Sequence, residues 1–142
     1  MEENNNQEMQ VQSQEGLILS DNSVDISVEI REQITKKIEE LRQKTGTKRI
    51  YAIVVKGDEF DEKPLYIGYF KRPNMMNLSL WMNMVQKDTI QANRTIAQNC
   101  FVDGDKELVD NEDLFLYGAQ QKISTLMEGR NAEMVKLSSA GK

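Results

Sequence analysis

Ile50-Tyr51-Ala52-Ile53-Val54-Val55, followed by a turn over residues 57–63 and then by Leu65-Tyr66-Ile67-Gly68-Tyr69-Phe70, is the stretch that decides the fold. Both runs are β-branched and aromatic, the composition that suits a pleated, half-buried surface. The segment between them, Gly57-Asp58-Glu59-Phe60-Asp61-Glu62-Lys63, is acidic and reads as a turn. The pair predicts a β-hairpin with a loose tip. Two strands alone are marginal in water, so helices or further strands must cover one face. Lys71-Arg72-Pro73 closes the second strand, because proline cannot donate to the ladder.

Upstream, Ile30, Ile34, Ile38 and Leu41 recur at helical spacing and predict a helix over residues 26–45. Asp25 or Ser27 suits its start and Gly46 its end. The apolar stripe is narrow, fit either for the domain itself or for the seam with another chain. Residues 1–24 are rich in Glu, Asn and Gln and hold five of the 23 acids and none of the 18 bases. So little apolar mass does not offset the entropy of ordering, and a disordered acidic arm is expected there. Leu17, Ile18 and Leu19 stand out within it, as incidental apolar content or as a segment that docks on a partner.

Downstream of Pro73 the pattern reads as helical throughout. Met76, Leu80 and Met84 lie four apart, with Trp81 and Val85 alongside. A second helix is expected over about residues 88–99, using Ile90, Ile96, Ala97 and Cys100. Asp103-Gly104-Asp105 marks a turn. A third helix is expected over residues 111–128, with Leu116, Ala119, Ile123, Leu126 and Met127 on one face. The organisation predicted is an acidic arm over 1–24, an amphipathic helix over 25–47, an α+β domain over 48–137 and a frayed end over 138–142. The fold class is α+β, a hairpin or small antiparallel sheet packed on three to four helices.

The chemistry open to this chain is narrow. It has no histidine and one cysteine, Cys100, which removes Ser–His and Cys–His nucleophile pairs and the usual zinc sites. The acidic run Asp103, Asp105, Glu107, Asp110, Glu112 and Asp113 fails as a calcium loop, since it puts a glycine second and an apolar residue twelfth. With Asp58, Glu59, Asp61 and Glu62 it reads as solvated turns and a helix cap, not as carboxylates held across a sugar-binding cleft. The glycines are isolated, without phosphate-loop spacing. Beyond the arm the charges balance, so no basic field for nucleic acid is present, and Lys71-Arg72 is a surface pair. No run approaches the roughly 18 apolar residues of a membrane helix, and no signal peptide is evident. The expectation is a non-catalytic cytosolic protein without metal or cofactor, binding neither nucleic acid nor membrane.

Met75, Met76, Leu78, Leu80, Trp81, Met82 and Met84 carry the functional reading. They hold four of the eight methionines and the only tryptophan. A helix apolar on nearly every side needs burial on more than one side. It serves either as a central core helix or as one that also binds an oligomer or a client. Methionine adapts to varied partners and tryptophan anchors interfaces. Met76, Leu80, Trp81 and Met84 are the expected partner contacts, with Leu17, Ile18 and Leu19 as a second docking element.

The run from Lys48 to Leu137 resembles small phage proteins of the tail-assembly-chaperone type. The likeness lies in the order of features. The strand Ile50-Tyr51-Ala52-Ile53-Val54-Val55 precedes a second strand leading into Phe70-Lys71-Arg72-Pro73. Asp88-Thr89-Ile90 opens a helix, and Asn99-Cys100-Phe101-Val102-Asp103-Gly104-Asp105 follows it. Asp110-Asn111-Glu112-Asp113-Leu114 opens a last helix that ends in Val135-Lys136-Leu137. The resemblance implies a small α+β protein in the cytoplasm of an infected bacterium. It would self-associate and use apolar surface to coat a tape-measure protein or another tail or neck protein. Residues 1–47 lie outside that pattern, and an acidic arm with a seam-like helix suits a permanent minor component of the virion instead. A small regulatory binder of a host protein is the remaining alternative.

Overall fold

The computed structural model describes residues 16–19 and 25–128. The fold is α+β. Strands β1 (Leu17–Leu19), β2 (Ile50–Lys56), β3 (Leu65–Lys71) and β4 (Phe101–Gly104) form one sheet in that spatial order. β2, β3 and β4 are antiparallel, and β1 joins β2 in parallel. The expected hairpin is β2–β3, paired from Ile50↔Lys71 to Lys56↔Leu65.

Its acidic turn satisfies its own backbone. Asp61 accepts from the Asp58 N–H at 2.7 Å, and Asp58 accepts from the Phe60 N–H at 2.8 Å. These local side-chain bonds give the acids at this tip a structural use.

Strand alternation divides the core in two. Ile50, Ala52 and Val54 of β2, with Tyr69 of β3, face helix α1 (Val28–Thr45). Ile53 and Val55, with Tyr66 and Phe70, face the helices of the other layer. α1 buries Ile34, Ile38 and Leu41, so its stripe packs on its own sheet and not on another chain. Ser27 caps its start by accepting from the Ile30 N–H at 3.1 Å, and Gly46 ends it at φ 79°. α1 is the crossover that two parallel neighbours, β1 and β2, require.

The second layer begins with the hairpin of α2 (Met75–Val85) and α3 (Thr89–Cys100). Asn74 and Asn77 cap α2 reciprocally, and Asp88 caps α3 by accepting from the Gln91 N–H at 3.0 Å. Three short helical turns follow β4: α4 (Glu107–Asp110), α5 (Glu112–Tyr117) and α6 (Ile123–Leu126), with a 3-10 turn at Ala119–Lys122 before the last. Ile96, Ala97, Cys100, Leu108, Phe115, Ile123 and Leu126 bring this layer onto the sheet.

Four expectations are corrected. The predicted disordered arm contains a strand: Gly16 accepts from the Ala52 N–H at 2.8 Å, and Leu17 is buried in the α1 layer. The rest of the arm, residues 1–15 and 20–24, and the expected frayed end at 138–142 lie outside the described residues. Phe101–Gly104, which runs into the expected turn at Asp103-Gly104-Asp105 and lies in the stretch read as helical, is an edge strand that pairs with β3. The third helix is broken at Gly118, where a Cβ would stand 2.7 Å from Val55 Cγ1 and 2.6 Å from the Leu114 carbonyl oxygen. The missing side chain lets the backbone come close to β2, and this approach replaces a continuous helix. Ile90, assigned to the buried face of its helix, is exposed.

Candidate protein-binding surface

Helix α2 buries none of its eleven residues and carries no charged side chain. Met75 is 83% exposed, Met76 78%, Met82 64% and Leu80 43%. At about 100° per residue, Met82, Met75, Ser79, Asn83, Met76 and Leu80 sweep a little under half of the circumference. All six are exposed. The result is an uncharged face of three methionines and one leucine, with Ser79 and Asn83 between them. Single exposed apolar residues are ordinary on soluble proteins, whereas several on one face of one helix make that face a candidate interaction surface.

The opposite side of α2 is anchored. Leu78 and Trp81 are half-buried and pack against the core cluster of the second layer. Trp81 Nε1–H donates to Asn93 Oδ1 at 2.8 Å, and Asn93 Nδ2–H donates to Gln120 Oε1 at 3.0 Å. This chain of bonds ties α2 to α3 and to the 3-10 turn. It satisfies the indole N–H that a partly buried tryptophan must pair. α3 is tied in turn to α4: Arg94 donates to the carbonyl oxygens of Val109 at 3.0 Å and Asp110 at 2.5 Å.

The four expected contact residues on this helix therefore divide. Met76 and Leu80 face outward, Trp81 faces the domain, and Met84 is half-buried at the boundary. Met75 and Met82 belong to the outer face, although the expected contact set does not include them. A projection at 3.6 residues per turn finds them, because Met75 and Met82 are seven apart and share an azimuth. The second expected docking element is corrected: Leu17 packs on its own sheet in β1. The side chains of Ile18 and Leu19 lie outside the described residues.

A cleft of about 70 Å³ between the hairpin turn and α5 carries Asp58, Asp61, Asp113 and Tyr117 on its walls. That is well below the roughly 300 Å³ at which ligand pockets begin. Among the described residues no group of three or more Cys, Asp or Glu side chains is placed to hold a metal ion. Burial pushes the Cys100 thiol up to about 11, so it stays protonated and is a poor nucleophile. Tyr69 rises to about 12 through burial and the nearby Asp103 and Asp105 carboxylates.

Two carboxylates, Asp103 and Asp105, brace the sheet. Lys37 of α1 reaches Asp103 of β4 at 2.9 Å, and the hydrogen bond from Lys37 holds the Asp103 carboxyl below its ordinary value. Asp105 accepts from Lys63 Nζ at 2.7 Å and from the Ile67 N–H at 2.8 Å, which pins the start of the α4 segment to β3. No helix among the described residues is long and apolar enough to cross a membrane.

Comparison with known protein families, with curated proteins and with solved structures gives no match in any of the three.

Proposed function

We propose that this protein works by binding an apolar helical segment of another protein along the outer face of α2, without catalysing a reaction. One observation carries the reading: a capped, anchored helix holds its most flexible apolar side chains in water and has no charged group among them. A fold that needed these methionines for its own core would turn them inward, as it turns Leu78 and Trp81. Helix-in-groove and helix-on-helix recognition use such thioether-rich faces, since methionine repacks against varied partners.

The phage setting rests on the resemblance in the order of strands and helices between Lys48 and Leu137. On that reading the client is a tail protein made in the infected cell, the tape-measure protein first. The chain holds the client's apolar helix out of water until the tail tube forms. The test is co-expression of the full chain with the tape-measure protein of the same phage, followed by affinity capture through a tag on the chain. Wild-type chain should retain the client, and Met76→Gln with Met82→Gln should lose most of it while remaining folded. Equal capture by the folded variant, or no capture by wild type, overturns the proposal.

A further inference from the structure

We propose that copies of this chain join head to tail, the acidic tip of the β2–β3 hairpin of one copy docking on the basic end of the sheet in the next. This contact is additional to partner binding by α2 and uses only the first turn of that helix.

The fold sorts charges that are balanced along the sequence. β2 begins at Ile50 opposite Lys71, which places Lys48 and Arg49 beside Lys71 and Arg72. The Arg72 N–H donates to the Arg49 carbonyl oxygen at 3.0 Å. Lys48 and Arg49 are exposed, and Lys48, Arg49 and Lys71 form no ion pair with another described residue. The Arg72 guanidinium donates to the Glu128 carbonyl oxygen, a neutral group that does not cancel its charge.

The opposite end of the same two strands is acidic. β2 closes at Lys56 opposite Leu65, and the turn beyond carries Asp58, Glu59, Asp61 and Glu62. Asp113 of α5 borders the cleft at this turn, where Lys56 offsets one of the carboxylates. Lys63, the base within the turn, is already held by Asp105 and Glu107. The seven residues of β2 set the two ends about 20 Å apart. Charges in water are screened over about 10 Å at 0.1 M salt, so the tip does not neutralise the basic end of its own molecule. A second copy supplies the matching sign. Because the two patches differ, the contact is heterologous and leaves one free end on each copy to continue the chain.

The apolar groups match as well. Phe60 stands in the middle of the acidic tip and is 88% exposed. Met75 and Met76 begin α2 directly after Arg72-Pro73-Asn74, and both are exposed. A ring flanked by carboxylates thus has, on the next copy, thioethers flanked by cations, and sulfur–aromatic contact is favourable.

The test is sedimentation of the full chain over a concentration series at about 0.01 M and about 1 M salt. Asp58 and Asp61 bond within the turn, so the tip is reversed at the exposed Glu59 and Glu62 instead. Wild type should associate at low salt and at least about tenfold more weakly at high salt. Lys48→Glu with Arg49→Glu, and Glu59→Lys with Glu62→Lys, should each stay monomeric while folded by circular dichroism. Mixing the two should restore a complex, since each keeps the end that the other has lost. Phe60→Ser leaves the charge unchanged and should weaken association about tenfold. A wild type that is monomeric throughout, a mixture that forms no complex, or an unchanged affinity in Phe60→Ser overturns the proposal. Association that survives both reversals and is lost in Met76→Gln with Met82→Gln assigns the contact to a pair of α2 helices and also overturns it. Partner capture is measured separately: a chain that captures but stays monomeric overturns this contact alone, and one that associates but does not capture overturns the proposed function alone.

Discussion

The outer and inner sides of α2 make opposite predictions about stability, and the pair Met76→Gln with Met82→Gln tests the outer side. Met76 and Met82 are 78% and 64% exposed, so together they withdraw little more than half of one side chain from water. Full burial of a methionine is worth about 1.5–3 kcal/mol, which puts the whole hydrophobic contribution of both at roughly 1 kcal/mol. Glutamine keeps most of the aliphatic stem and has nearly the same helix propensity as methionine, so the double variant should lose about 1 kcal/mol or less. Trp81→Ala is the contrast. It removes a ring packed on the core and leaves Asn93 without the indole partner, and should cost about 3 kcal/mol. Urea unfolding followed by far-ultraviolet circular dichroism reads both, since the helical signal does not depend on the tryptophan. A loss above about 3 kcal/mol in the methionine double variant would mean that these side chains hold the domain together, and the reasoning from exposure would fail. The contrast also decides which variants are fit for binding experiments: removing Trp81 disturbs the scaffold, whereas replacing the outer methionines leaves it intact.

Three further outcomes follow from the packing. Ile38→Ala empties a site that is 1% exposed between α1 and the sheet, and should cost about 2–5 kcal/mol by urea unfolding. Leu17→Ser should loosen β1 and speed hydrogen exchange at the Ala52 amide, which donates to Gly16; unchanged exchange there would contradict the parallel pairing. The Asp103 carboxyl is held down chiefly by its hydrogen bond from Lys37, so its share of stability is present above the ordinary value of 3.8 and is lost as pH falls through the lower folded value. In Asp103→Asn that acid-side component of the pH–stability curve should disappear, with Asp103 in the parent titrating below 3.8 by NMR.

The hairpin and α1 were legible because long periodic segments report their own burial. β2 contributes alternate residues to two separate cores, and α1 repeats its isoleucines at a helical interval. β4 was not legible because four residues, Phe101 to Gly104, are too few to show alternation and follow a helix without a break. β1 is shorter still, three apolar residues within a polar arm; its order comes from the ladder on β2, a tertiary cause. Gly118 was visible in the sequence, but its role was not. The break it makes depends on Val55 lying opposite, which local propensity does not encode. For the candidate surface, the cluster of methionines was plain from composition, and its orientation was not. The contact set drew in Trp81, whose partner Asn93 lies on the next helix, and left out Met75 and Met82.

The measurement that bears most directly on the account is the dissociation constant between the full chain and the co-expressed tape-measure protein, for wild type and for Met76→Gln with Met82→Gln, each shown to be folded by its urea midpoint. The account predicts a loss of about tenfold or more in the variant, with the urea midpoint almost unchanged. Equal affinity in the two proteins would show that the outer face of α2 plays no part in binding.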